Sequence, residues 1–134
     1  MNILKVLTEK RIKGNIAEDA ICKYLKRKRY KILYRNYVAN GHEIDIIAED
    51  NEHICFVEVK SRSENALNPY DTLPRDAVDK NKQKSIISAA KVFASSIGER
   101  KKFRFDVAEV YLNKNNKADR IEYLENAFVI QSYR

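Results

Sequence analysis

Three acids and a lysine stand close together in one short stretch, Gly41 to Arg62, which reads GHEIDIIAEDNEHICFVEVKSR. They are Glu43, Asp45, Glu58 and Lys60. Carboxylate oxygens are the ligands that hard divalent cations such as Mg²⁺ take. A lysine beside them can stabilise negative charge that develops on a substrate. Acids gathered around one lysine, on strands otherwise this apolar, suggest a divalent metal and chemistry on an anionic substrate.

The element that must position them is a β-hairpin. Two apolar runs, Ile44–Ala48 and Ile54–Val59, flank a polar turn at Asp50-Asn51. A two-residue turn with antiparallel pairing predicts Glu43 opposite Glu58 and Asp45 opposite Phe56. Side chains alternate faces along a strand. Glu43, Asp45, Glu58 and Lys60 therefore share one side, and Ile44, Ile46, Cys55, Val57 and Val59 form a core face on the other. Asp45 and Glu58 become diagonal neighbours, about 7–8 Å apart at the backbone. A register slip of two residues sets them directly opposite and leaves the faces unchanged; a slip of one spoils the arrangement. The same spacing also fits the solvated outer face of an ordinary hairpin, and spacing alone does not choose between the two.

Asp45, then twelve residues, then Glu58-Val59-Lys60 resembles the D…(D/E)-x-K signature of restriction-endonuclease-like nucleases. Further phrases occur in order: Gly14…Glu18-Asp19-Ala20, Gly41–Ala48, Phe56–Arg62, Arg104-Phe105-Asp106-Val107 and Asn126-Ala127-Phe128. From Gly14 to Phe128 the chain resembles the YraN-like family of small bacterial proteins, related in fold to archaeal Holliday-junction resolvases. The resemblance implies a restriction-endonuclease-like core with Asp45, Glu58 and Lys60 as the catalytic set. It implies that Glu18, from the first helix, joins Asp45 and Glu58 at the metal. It also implies branched DNA as a substrate. Cutting both strands of a junction takes two sites, which points to a homodimer.

The composition agrees with such a partner. A net charge of +7 and a pI near 9.4 suit a polyanion, although charge of this size also serves plain solubility. The 134 residues make one domain, 1–134, with chain enough for a core. The sequence has no apolar run long enough to span a membrane and no apolar stretch of signal-peptide length at its start. A cytoplasmic location is the expectation. Cys22 and Cys55 both lie in apolar patterns and read as reduced core residues.

Around the hairpin, periodicity predicts a helix over Lys10–Arg29, with Ala17, Ala20, Ile21, Tyr24 and Leu25 facing inward and Glu18 on the edge of that stripe. Gly14, inside this helix, costs about 1 kcal/mol and suggests close approach of another element. Tyr30–Val38 reads as a strand ending at an Asn40-Gly41 turn. Ser61–Val78 is polar, holds both prolines and has little period; it could line a nucleic-acid channel or be a plain connection. A second helix spans Arg75–Ile97, stopped by Gly98, with Ile86, Ala89, Ala90, Phe93 and Ile97 as its core face. Gln83 and Lys82 in its first turns are accessory candidates for contacting phosphate or orienting water, as Glu43 is for a further ligand or base. Lys101–Leu112 alternates as a strand in which Arg104 and Asp106 share a side and pair, and a short strand follows at Arg120–Leu124. The order αβββαββ predicts an α/β fold with a mixed sheet flanked by helices.

These readings converge on a Mg²⁺- or Mn²⁺-dependent DNA endonuclease, with a nucleic-acid-binding protein of the same fold and no turnover as the alternative. Phosphate contacts are expected from Lys26, Arg27, Lys28, Arg29, Arg62, Lys101 and Lys102.

Overall fold

The computed structural model describes residues 2–63, 78–98 and 101–130. Its elements are α1 (Ile3–Arg27), β1 (Lys31–Ala39), β2 (His42–Glu49), β3 (His53–Ser63), α2 (Lys80–Ile97), β4 (Lys102–Leu112) and β5 (Ala118–Phe128). This is the expected αβββαββ order. The strands form one mixed sheet in the order β1-β2-β3-β4-β5. Only β3 and β4 run parallel, as a crossover through α2 requires. The fold is α/β with a restriction-endonuclease-like core.

Several bounds differ from the sequence expectation, each for a local reason. The first helix begins at Ile3 rather than Lys10, because the Asn2 side chain caps it by accepting the N–H groups of Leu4 and Lys5. Its buried residues are Ala17, Ile21, Cys22 and Leu25, all in its second half. The added first turns carry exposed Ile3, Leu4 and Leu7, so no core-facing stripe announces them. Strand β3 extends to Ser63, where irregular chain was expected from Ser61. The rest of the proposed channel-lining segment, 64–77, lies outside the described residues, as does the start of the helix expected from Arg75. Helix α2 begins at Lys80 behind Asp79, whose carboxylate accepts the Lys82 N–H, and it stops at Gly98 with φ 72°. Strand β5 is longer than the expected Arg120–Leu124. Between β1 and β2, Asn40 and Gly41 both take positive φ, 53° and 74°, as a two-residue hairpin turn of the I′ type demands.

The sheet is covered on both faces, and this corrects the expectation of a single core face on the hairpin. Ile44, Ile47, Ile54, Phe56, Phe105 and Val107 pack with Ile86, Ala89, Ala90 and Phe93 of α2. Ile46, Ala48, Cys55, Val57, Ala108 and Val110 pack with Ala17, Ile21, Cys22 and Leu25 of α1. Central strands between two helical layers are apolar on both sides. Ile97, expected in the core, is 43% exposed; Ala94 is buried in its place. Both cysteines are free and buried. Among the described residues, no helix is long and apolar enough to cross a membrane.

Gly14 does not mark a close approach. A Cβ built there meets no atom within 4 Å, and its backbone is helical. We therefore expect Gly14→Ala to stabilise the fold by about 0.5–1 kcal/mol, through helix propensity and a less flexible unfolded chain. Urea unfolding checks this. A destabilised variant would mean that something in the folded protein needs that space empty.

Candidate active site

The β2–β3 turn is longer than two residues. The Asp50 carboxylate accepts the N–H groups of Glu52 and His53 at 2.8 and 2.6 Å, and the Asp50 N–H donates to the His53 carbonyl at 3.0 Å. Asp50 to His53 are thus consumed in the turn, and the ladder pairs Glu49 with Ile54, Ala48 with Cys55, Ile47 with Phe56 and Ile46 with Val57. Carried one residue further, this register sets Asp45 directly across from Glu58 instead of Phe56. It is the two-residue slip that keeps both acids on one face.

The strands stop pairing at this point. Past Ile46 and Val57 the backbone ladder gives way to a side-chain bond, in which Asp45 Oδ2 accepts the Val59 N–H at 2.8 Å. On the other side of β2, Asn36 lies between the Arg35–Ile46 and Tyr37–Ile44 pairs, so it sits across from Asp45. Its φ of 53° is left-handed, a conformation that asparagine tolerates better than most residues. Ile44 and Ile47 share one apolar cluster although they lie an odd three positions apart. Strict alternation therefore fails at the level of Asp45, and the sheet opens there.

Two groups of side chains meet at this opening. In the first, Glu58 is 4% exposed. Its Oε1 lies 3.9 Å from Lys60 Nζ and 3.8 Å from Lys82 Nζ. Its Oε2 is buried and has no hydrogen-bond partner among the described residues. Burial, and after it the negative charge of Asp45, push the Glu58 carboxyl up to about 8, while Lys82 and Lys60 pull it back. Burial likewise raises Asp45, against the Val59 N–H bond and the charge of Lys82. In the second group, Arg35 Nη2 lies 3.6 Å from Glu18 Oε1. With its amide oriented so that the nitrogen faces the acids, Asn36 donates to Glu43 Oε1 at 2.8 Å and Glu18 Oε1 at 3.2 Å. Burial and then the Asp45 charge raise Glu18, and Arg35 opposes them. Asp45 is thus the link between Glu58 on one side and Glu18 with Glu43 on the other. Among the described residues, no three His, Cys, Asp or Glu side chains form a single metal-sized cluster.

The remaining candidates disperse. Gln83 donates to the Val78 carbonyl at 3.1 Å. Arg62 reaches Glu109 Oε1 at 3.5 Å. Lys101 is held at the hairpin turn by Glu49 Oε2 at 3.0 Å and the Asp50 carbonyl at 2.7 Å. Lys102 pairs with His53, five residues from Glu58, or about 17 Å along a strand. Lys26, Arg27, Lys28 and Arg29 close α1 at that same end of the sheet, just before Lys31, which pairs with Glu49. Lys28 lies over the Tyr24 ring at 4.7 Å.

Sequence reasoning overlooked Arg35, Asn36 and Glu109. Asparagine inside a strand is a weak signal, since strands deplete it. Glu109 interrupts the apolar run Val107 to Leu112; it is 1% exposed, and the Tyr111 hydroxyl donates to its Oε2 at 2.9 Å. The expected Arg104–Asp106 pair is present. Asp106 is fully buried and accepts from Arg104 Nε and Nη2, the Tyr123 hydroxyl and the Asn126 N–H. A buried acid satisfied in this way is structural. Glu58, with one oxygen unpartnered, is not. Two carboxylates with a vacant oxygen, next to a second pair of acids, are a donor set that fits a hard divalent cation.

The model of the uncharacterised protein family UPF0102 matches residues 17–110. The chain belongs to this family. The matched span holds Glu18, Asp45, Glu58, Lys60 and Lys82. A UPF0102 protein of Caldanaerobacter subterraneus subsp. tengcongensis is 39% identical over 121 residues, covering 89% of this chain and 96% of that relative. A UPF0102 protein of Clostridium acetobutylicum is 42% identical over 118 residues, covering 87% and 93%. One from Desulforapulum autotrophicum is 40% identical over 116 residues, covering 86% and 91%. The UPF0102 family is the YraN-like family that the motifs resemble.

Proposed function

We propose that this chain is a metal-dependent DNA endonuclease that hydrolyses phosphodiester bonds. One observation carries the reading: buried Glu58 beside half-buried Asp45, with a Glu58 oxygen unpartnered among the described residues and two lysines at the rim. Asp45 and Glu58 would hold Mg²⁺ or Mn²⁺, with Glu18 and Glu43 alongside. Bound there, the ion would polarise the scissile phosphate and activate water. The Val59 N–H fixes the Asp45 carboxylate in place. Lys60, whose side chain is 39% exposed, is free to stabilise charge gathering on the phosphate oxygens. Lys82 keeps Glu58 compensated while the site is empty of substrate. Nothing in this set reads bases, so selectivity would rest on DNA shape. Likeness to junction resolvases supports branched DNA and a homodimer with two sites.

A second reading, nucleic-acid binding without turnover, is favoured by one feature: two ammonium groups already compensate Glu58, and among the described residues no third acid joins Asp45 and Glu58 directly. A screen on linear, flapped and four-way DNA with Mg²⁺ or Mn²⁺ separates the two. Metal-dependent cleavage supports the enzyme. Binding with no cleavage of any substrate selects the second reading.

The site can also be tested without substrate. An ion that binds only the folded state stabilises it by RT ln(1 + [L]/Kd), about 1.4 kcal/mol for a Kd of about 1 mM at about 10 mM metal. That raises Tm by roughly 5 °C. Asp45→Asn should match or exceed wild type without metal and gain almost nothing from Mn²⁺. Identical wild-type melts with and without saturating Mn²⁺ would remove the metal site.

A further inference from the structure

We infer that one strand of the nucleic acid reaches the carboxylate site through a basic cleft between α1 and the end of the sheet. Lys10 and Lys13 line it from the helix; Arg62, at the end of β3, and Lys114, in the β4–β5 turn, line it from the sheet. The inference rests on reading the site as one that acts on nucleic acid, and it names the path that substrate takes.

The cleft has a volume of about 550 Å³, and among the described residues no carboxylate lines it. Lys10, Lys13 and Lys114 make no ion pair among the described residues; Arg62 alone has one, the 3.5 Å contact with Glu109. Cations that converge without local counter-charges raise the local concentration of an anion. The far-end cations differ. Lys101 is bound to Glu49 and a carbonyl, and Lys28 lies over Tyr24.

The cleft also leads to the acids. Ser61 and Arg62, both at its wall, follow Lys60 directly in β3. Lys10 lines it and also lines the adjoining hollow, shared with Gly14, Glu18, Asn36 and Glu43. Gly14 lines that hollow with open space where a Cβ would stand. An acidic peptide could satisfy the cations, but it would offer the carboxylate pair nothing to act on; a phosphodiester strand answers both. A cleft this small takes a few sugar-phosphate units of one strand and not a whole duplex.

The test is fluorescence anisotropy of the full chain in EDTA, with labelled single-stranded, duplex and four-way DNA over a salt series. The variants are the triple Lys10→Gln/Lys13→Gln/Lys114→Gln and the control triple Arg27→Gln/Lys28→Gln/Arg29→Gln. The cleft variant should bind on the order of 10-fold more weakly or worse at 0.1 M salt. Its log–log salt slope should fall by about 0.7 per lost contact on single strands and about 0.9 on duplex. The control should stay within about twofold of wild type. Matching far-ultraviolet circular dichroism and melting curves show that each variant folds. A control that loses affinity while the cleft variant keeps it overturns the inference, as does a wild type that binds no DNA. The nuclease reading is scored separately. Binding through the cleft with no cleavage upholds the cleft and fells the enzyme; cleavage that survives loss of the cleft cations does the reverse.

Discussion

Lys60→Ala should cut DNA at least on the order of 10²-fold more slowly than wild type while binding it almost as well. The expectation follows from where Lys60 sits. Its ammonium lies 3.9 Å from Glu58 Oε1 and its side chain is 39% exposed, so it reaches the site from the rim and holds up no part of the core. Truncating an exposed side chain of this kind changes stability by about 0.5 kcal/mol or less. Losing one phosphate contact among several barely moves affinity. Removing a group that stabilises charge only in the transition state lowers kcat instead, by a factor of about 10²–10³ where such donors have been deleted. Lys60→Arg should restore part of the rate, since it keeps the charge with altered geometry. Lys82 stands at 3.8 Å from the same oxygen, so the double variant Lys60→Ala/Lys82→Ala should fall further still. Single-turnover cleavage beside anisotropy in EDTA separates rate from affinity. A Lys60→Ala enzyme that cuts at the wild-type rate takes this residue out of the mechanism.

The second large effect is on stability against pH. In the folded, metal-free protein Glu58 is pushed up to about 8, first by burial and then by Asp45, from an ordinary value of 4.5. Between those two values the folded chain keeps a proton that the unfolded chain has released. Stability from this source is fully present below pH 4.5 and is lost as pH rises through 8. Glu58→Gln keeps the shape and has no proton to lose. In EDTA, wild type and variant should be of similar stability near pH 5, and by pH 9 the variant should lead by about 2 kcal/mol or more. A full shift of this size would give more at about 1.4 kcal/mol per pH unit, but the retained proton is shared with Asp45, so only part of the shift belongs to Glu58. Divalent metal should then reverse the ranking, because only wild type offers the second carboxylate. Urea unfolding at pH 5, 7 and 9 is sufficient. Wild-type and variant curves that stay parallel across this range would mean that Glu58 is ionised at no cost, and the repulsion described at the site would be gone.

Much of this site was legible from the chain. The order αβββαββ follows from apolar periodicity, which is local. That Asp45, Glu58 and Lys60 share a face follows from strand alternation, and it survives any even register slip. The register itself was not legible. It depends on Asp50 folding its carboxylate onto two backbone N–H groups, which lengthens the turn and brings Asp45 across from Glu58. The burial of that face was not legible either, because α2, which covers it, is distant in sequence and the acids are the exception on an otherwise apolar surface. Arg35, Asn36 and Glu109 gained their places only when β1 and β4 were laid beside the hairpin strands. The two basic regions were separated in the same way. Lys26 to Arg29 look like a binding patch because they are adjacent in sequence, and the β1–β2 register puts them at the far end of the sheet. Lys10, Lys13, Arg62 and Lys114 are scattered through the sequence and converge only because α1 overhangs the ends of β3 and β4. Alternation and propensity act over a few residues and are written in the chain; burial, register and convergence of charge are set by what packs across from it, which only the tertiary structure decides.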